Sequence, residues 1–247
     1  EFLFAKSGIQ YVNNGNGRKA RATKATFANK AGIEVWRWWQ EMVESGLAVN
    51  TGDQEGGIDH LLALGNGTAA ITIDSSGGMG RIYDVLSSGQ FPNVEFGVAP
   101  LPALKSGGGI PVGDGSLWMP KTSSPARQAA AWELIKFLVD PAQIAQLIVG
   151  SDGGYVPIRE SAASDPAVVA LYDERPFLRV PFDQLQKGKV NTTSSGPVIG
   201  DYQGVRDAVR DGLDRMLTQG QDPAEALRQA AQESSDAIRS YNSRVGE

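Results

Sequence analysis

Apolar residues recur at helical spacing over residues 26–46, the clearest periodic segment of the chain. Its apolar stripe comprises Ile33, Trp36, Trp39 (or Gln40) and Val43. Because successive helical residues turn by about 100°, we expect Trp36 and Trp39 to pack in a core and Trp38 to be partly exposed. Gly46 is expected to end this helix.

Further helices are predicted where Ser or Asp precedes Pro, or where Gly closes a periodic stretch. These segments are 57–65, 78–88, 125–139, 141–150, a helix beginning at Pro166, 200–219 and 223–243. In the segment 125–139, the residues expected to face inward are Trp132, Ile135, Leu138 and Val139.

Short strands are predicted at 68–73, 94–99 and 115–119, and the first residues, 2–5, also have a strand-like composition. Short strands scattered among many helices, with long Gly- and Pro-rich connections, indicate an α/β fold. The chain is expected to cross between two bodies more than once. It begins at Glu1 within an apolar segment, so we expect it to be the middle of a longer protein.

Composition excludes several classes of function. The 247 residues carry a net charge of −5 and only one short basic cluster, at 18–24, so a nucleic-acid partner is not expected. There is no cysteine and a single histidine, His60, which argues against a thiol nucleophile, a zinc site or any other metal centre. No apolar run is long enough to span a membrane.

The segment 68–79 is the first candidate for chemistry. It is predicted to run from a strand through Ser75, Ser76, Gly77 and Gly78 into a helix. The first N–H groups of a helix lack partners within the helix, so such a junction can hold an anionic or hydroxyl-rich ligand. An ordinary N-cap followed by a tight turn explains the same residues equally well.

Several motifs, in this order and spacing, make the chain resemble the extracellular solute-binding proteins of ABC carbohydrate importers, above all the members that bind glycerol 3-phosphate. The motifs are 67–77 (GTAAITIDSSG), 94–102 (VEFGVAPLP), 113–118 (GDGSLW), 131–138 (AWELIKFL), 154–159 (GYVPIR) and 222–227 (DPAEAL). The resemblance implies a periplasmic-binding-protein-like (type II) two-lobed α/β fold without its first part. It places 1–112 mainly in the carboxy-terminal lobe, 113–156 in the other lobe and 157–247 back in the carboxy-terminal lobe.

The resemblance also implies a set of ligand-binding residues, which comprises Ser75, Ser76, Gly113, Asp114, Tyr155 and Arg206. In that family a serine hydroxyl contacts the ligand, a tyrosine closes over it, and an arginine binds a phosphate or polyol oxygen. Judged without the resemblance, Tyr155 is an ordinary turn residue and Arg206 lies on a solvated mixed-charge face. Asp114 stands where the glycerol-3-phosphate pattern has glycine, and its carboxylate would oppose a phosphate.

The function expected from this resemblance is capture of a glycerophosphate-type or sugar ligand for an ABC transporter permease. The protein would act as a monomer on the periplasmic or extracellular side of the membrane, lipid-anchored through its missing amino-terminal part, without a cofactor. Two alternatives remain open. One is a glycoside hydrolase using a carboxylate pair that includes Asp74 or Asp114. The other is an interaction module that docks through the helix bearing Trp36–Trp39.

Overall fold

The computed structural model describes residues 1–52, 58–102, 108–113 and 115–246, and the regular structure of this part of the chain is helical. The helices are α1 (Phe2–Lys6), α2 (Lys30–Glu44), α3 (Asp59–Gly65), α4 (Met79–Leu86), α5 (Pro125–Leu138), α6 (Pro141–Gly150), α7 (Glu160–Ala163), α8 (Pro166–Glu174), α9 (Val180–Lys187), α10 (Tyr202–Leu217) and α11 (Pro223–Val245). Short 3₁₀ turns cover Ser76–Gly78 and Pro176–Arg179. The predicted helices are therefore confirmed, with ends shifted by a few residues.

The chain divides into two compact units. The terminal unit comprises Glu1–His60, Pro102–Val112 and Gly188–Glu247, and the middle unit comprises Leu61–Leu101 and Gly113–Lys187. The lobe boundaries implied by the resemblance stay predictions.

The core of the terminal unit lies among α2, α10 and α11. Gly212 of α10 lets the helices approach closely, since a Cβ there would lie 2.8 Å from the Trp36 ring and 2.9 Å from the Ala230 Cβ. Trp36 is buried and Trp39 packs against the same core, while Trp38 is half-buried and meets Trp39 edge-on at 6.4 Å. The expected division of the three tryptophans is confirmed.

The first residues form helix α1, so the expectation of a strand at 2–5 is wrong. The ring of Phe4 stacks on Phe27 at 5.6 Å and lies 6.1 Å from Tyr11. A helical turn buries both Phe4 and Ala5 and leaves Phe2 exposed. A helix can bury two consecutive side chains against the same core, whereas consecutive side chains of a strand point to opposite faces.

A left-handed turn at residues 13–17 supports the same unit. Asn14, Gly15 and Asn16 all have φ near +60°, a conformation that Asn and Gly tolerate best. The side chain of Asn16 is buried and accepts from the N–H groups of Tyr11 (2.8 Å) and Val12 (3.0 Å). Its amide also donates to the carbonyl of Thr192 at 2.9 Å, so one side chain joins two distant segments.

The middle unit has its own core, with its buried residues on α4, α6, α7, α8 and the second 3₁₀ turn: Met79, Ile144, Ala145, Ile148, Ala162, Val168, Tyr172 and Leu178. The predicted helix starts are confirmed by their caps. Ser124 accepts from the N–H of Arg127, and Asp140 and Asp165 accept from the N–H groups two residues on. Each cap precedes a proline, whose missing N–H is not needed at that position.

The predicted strands are not formed in the described part of the chain. Its single β-type pairing is an antiparallel bridge between Val12 and Ala25. The segments 68–73, 94–99 and 115–119 carry no strand, and Ile71 and Ile73 are exposed. Alternation tells which face a strand would bury, but a strand also needs a neighbour to complete its hydrogen bonds.

Helix α5 also departs from expectation, because none of its residues is buried. Trp132 and Leu138 are exposed, whereas Ile135 and Val139 are half-buried. Leu134 and Phe137 are exposed as well. The apolar side chains of α5 therefore point to several sides of the helix and form no single inward stripe.

Candidate functional site

The junction before α4 belongs to the middle unit and is built around Ser75. This residue has extended backbone angles (φ −68°, ψ 141°) and its Oγ accepts from the N–H of Gly77 at 3.2 Å. The carboxylate of Asp74 accepts from the Ser75 N–H at 2.6 Å. Ser75 is exposed and Ser76 is half-buried. The N-cap interpretation is thus confirmed, and the capping hydroxyl still faces solvent, where it can also donate to a ligand.

A second turn follows α6 and carries Tyr155. The helix ends in a Schellman-type arrangement, in which the N–H of Gly153 donates to the carbonyl of Ile148 at 2.8 Å. Asp152 and Gly153 both have positive φ, which turns the chain sharply. The next residue, Gly154, is buried, while the Tyr155 side chain is 45% exposed. The backbone of this turn is therefore buried at Gly154, while the ring of Tyr155 reaches solvent.

These two turns pack directly against each other. A Cβ on Gly154 would lie 2.7 Å from the carbonyl oxygen of Gly77, and a Cβ on Gly80 would lie 2.6 Å from that of Asp152. Only glycine permits such close backbone contact at these two positions. The structure thus brings Ser75, Ser76 and Tyr155 into one region of the middle unit, although about 80 residues separate them in the chain.

Gly113 also belongs to the middle unit. It is exposed, and a Cβ placed on it would meet no atom within 4 Å. Asp114 lies outside the described residues, so its predicted position beside the ligand stays a prediction.

Arg206 lies in the terminal unit, near the start of α10. Its Nε is 3.7 Å from Oε1 of Glu1, and its guanidinium carbon stands 5.9 Å from the centre of the Tyr202 ring. The Tyr202 hydroxyl donates to the other carboxylate oxygen of Glu1. Burial, and next the hydrogen bond to Glu1, raise the pKa of Tyr202, which keeps this hydroxyl protonated.

Sequence reasoning missed Tyr202 and Glu1. The four-residue spacing of Tyr202 and Arg206 on a predicted helix is a signal that could have linked them. Glu1 stands 205 residues from Arg206 in the chain, and no local pattern connects the two. The interpretation of Arg206 as a solvated surface charge is incomplete, since its guanidinium has a defined carboxylate partner.

The structure adds no support for a catalytic role of His60 or Asp74. His60 is half-buried on α3, and Asp74 is engaged with the backbone of Ser75. In the segments that the structure describes, no three metal-ligating side chains converge. Nor does any helix there have the length and apolar character needed to cross a bilayer.

Solved structures show which known fold this chain shares. The sugar-binding protein MalE of Xanthomonas citri matches with a TM-score of 0.76 and 18% identity, over 99% of this chain and 56% of that one. UgpB of Mycobacterium tuberculosis, solved with glycerophosphocholine, matches with a TM-score of 0.65 and 20% identity, over 96% and 57%. The expected periplasmic-binding-protein fold is thereby confirmed.

The chain belongs to the family of bacterial extracellular solute-binding proteins, whose pattern it matches over residues 2–173. Membership confirms the expected location outside the cytoplasmic membrane. A relative, the sn-glycerol-3-phosphate-binding periplasmic protein UgpB of Rhizobium meliloti, is 26% identical over 96% of this chain. Its counterpart in Pectobacterium atrosepticum is 22% identical over 98%. The chain spans about half, 53%, of the length of these relatives.

Proposed function

We propose that this chain is part of the solute-binding component of an ABC importer and captures a small hydroxyl-rich ligand, either a glycerophosphate ester or a sugar. The observation that carries this proposal is the packing of the Ser75 junction against the Tyr155 turn. This packing supports the proposal, because an exposed hydroxyl and an exposed aromatic ring then belong to two turns in contact, within the fold of a family that binds solutes.

The chemistry of the two side chains suits such a ligand. A serine hydroxyl both donates and accepts hydrogen bonds, as a polyol requires. The tyrosine ring offers a flat apolar face to the C–H groups of a sugar or of glycerol, and its hydroxyl gives a polar end. Arg206 would add a donor fork for phosphate or vicinal hydroxyls. Asp114, if it reaches the ligand, would favour neutral hydroxyls over phosphate.

Binding is better supported than hydrolysis. The relatives are named as binding proteins, and of the two carboxylates considered for catalysis, Asp74 accepts a hydrogen bond from the backbone of Ser75. The Trp36–Trp39 helix is also a poor docking module, because Trp36 is buried in the core.

Calorimetric titration of the product of the full open reading frame tests the proposal. The ligands are glycerol 3-phosphate, glycerophosphocholine and maltose. Replacing Tyr155 with Ala should weaken binding of the preferred ligand at least tenfold, because the aromatic face and its hydroxyl are lost together. Trp132→Ala is the matched control, since it removes an exposed aromatic side chain of the same unit outside the predicted site.

The outcomes separate cleanly. Equal affinity of the Tyr155→Ala variant and the unchanged protein would refute the assignment of Tyr155 to the ligand site. Heat release without saturation for all three ligands would contradict the proposed ligand class. If Asp114 selects against phosphate, Asp114→Gly should shift preference toward the phosphorylated ligands, and an unchanged preference would leave this residue without a role in selection.

A further inference from the structure

The pairing of Arg206 with Glu1 changes what this arginine can offer to a ligand. Glu1 Oε1 lies 3.7 Å from Arg206 Nε, and the Tyr202 hydroxyl holds the other oxygen of the same carboxylate. The Arg206 side chain is 46% exposed and that of Glu1 is 26% exposed. All three residues belong to the terminal unit, so their arrangement does not depend on the middle unit.

An arginine with a carboxylate at this distance is a different receptor from an arginine alone. At the position of a ligand a few ångströms away, the negative charge of Glu1 offsets much of the attraction between the guanidinium and a phosphate. A neutral hydroxyl group is affected much less, because it interacts with the individual N–H groups and not with the net charge. The carboxylate therefore acts against anionic ligands selectively.

The hydrogen bond from Tyr202 keeps the Glu1 carboxylate beside Arg206. A lone surface carboxylate can rotate away from its partner, and exposed ion pairs are weak for that reason. Here the hydroxyl of Tyr202 fixes one carboxylate oxygen while the ring of Tyr202 lies under the guanidinium. Tyr202 is thus a positioning residue for both members of the pair.

We propose that Glu1 determines ligand charge at Arg206, so that the site prefers a neutral sugar or polyol to a phosphate ester. This inference rests on the proposed function, because it takes Arg206 to be part of the ligand site. It narrows the ligand class from the two named above to one.

The test compares Glu1→Gln with the unchanged protein, both as products of the full open reading frame. Glutamine keeps an oxygen that can accept from Tyr202 but removes the charge. The ratio of the Kd for glycerol 3-phosphate to the Kd for maltose, measured by calorimetry, should fall about two- to fivefold, the range expected for a partly exposed pair. Glu41→Gln neutralises an exposed carboxylate on α2 and should leave the ratio unchanged.

Arg206→Ala separates failure of this inference from failure of the proposed function. If Arg206→Ala weakens binding but Glu1→Gln leaves the ratio unchanged, Glu1 has no selective role and the proposed site stands. If Arg206→Ala changes neither Kd, the arginine is outside the site and the inference falls with that assignment. A Kd for glycerol 3-phosphate below that for maltose in the unchanged protein would also overturn it.

Discussion

Replacing Gly154 with alanine tests whether the two turns of the middle unit are held together by backbone contact. The added Cβ would lie 2.7 Å from the carbonyl oxygen of Gly77, whereas ordinary van der Waals contact begins at 3.4 Å. The turns must therefore separate by about 0.7 Å, the difference between these two distances. Both atoms belong to buried or capped backbone, so no flexible side chain can absorb the shift.

Two opposing terms decide the size of the effect. Alanine restricts the unfolded chain more than glycine does, which by itself would stabilise the protein by about 0.4–1 kcal/mol. Forcing apart well-packed groups costs about 1–3 kcal/mol. The steric term is the larger, and we expect Gly154→Ala to lower the free energy of unfolding by about 1–2 kcal/mol.

Gly97→Ala is the matched control, because Gly97 is exposed in the same unit, has no positive φ, and a Cβ there would meet nothing within 4 Å. It should be neutral or slightly stabilising. Urea unfolding monitored by hydrogen exchange of the α6 amides reports on the stability of the middle unit specifically. A Gly154→Ala protein as stable as Gly97→Ala would refute the inferred contact.

Three further predictions follow from the same structure. Asn16→Ala should lower the free energy of unfolding by about 2–4 kcal/mol, because it breaks three hydrogen bonds of a buried side chain. Asn93→Ala, at an exposed position, should change the free energy of unfolding little, and equal urea midpoints for the two variants would contradict the prediction. Burial raises the pKa of Tyr11, so the unfolded chain ionises first and stability should fall as pH rises above about 10, by at most about 1.4 kcal/mol per pH unit. Tyr11→Phe should make that fall shallower in urea titrations between pH 9 and 11, and an unchanged slope would exclude this tyrosine as a source. Gly77→Ala should leave stability unchanged or raise it slightly, since its Cβ would meet nothing nearer than Ser75 Oγ at 3.5 Å. The same change should weaken ligand binding in calorimetry if the ligand approaches this backbone. A large loss of stability would contradict the space found at Gly77.

The helices were predictable because their signals are local. Ser124, Asp140 and Asp165 each cap a helix whose first residue is proline, and a cap acts within three residues of itself. The strands were not predictable in this way. Ile71 and Ile73 alternate as a strand requires, yet the hydrogen-bond partner of a strand is supplied by a distant segment, and alternation carries no information about whether that segment is present.

The site was predictable only in part, for the same reason. The Ser75 cap and the exposed Tyr155 could each be anticipated from a few neighbouring residues. Their proximity could not, because it depends on Gly80 and Gly154 meeting backbone from the other turn. The Glu1–Arg206 pair joins residues 205 positions apart, and neither local sequence pattern indicates it.

The glycines of the junction can now be assigned separate roles. The sequence predicted that the backbone N–H groups after the Ser–Gly run could hold a ligand, and glycine lets a ligand approach such backbone closely. The structure gives Gly80 and Gly154 another role, since each is required by close contact within the protein. Gly77 and Gly78 have space for a Cβ, so folding does not require glycine at either position. Access for a ligand therefore remains a reason for glycine at these two positions only, beside the exposed hydroxyl of Ser75.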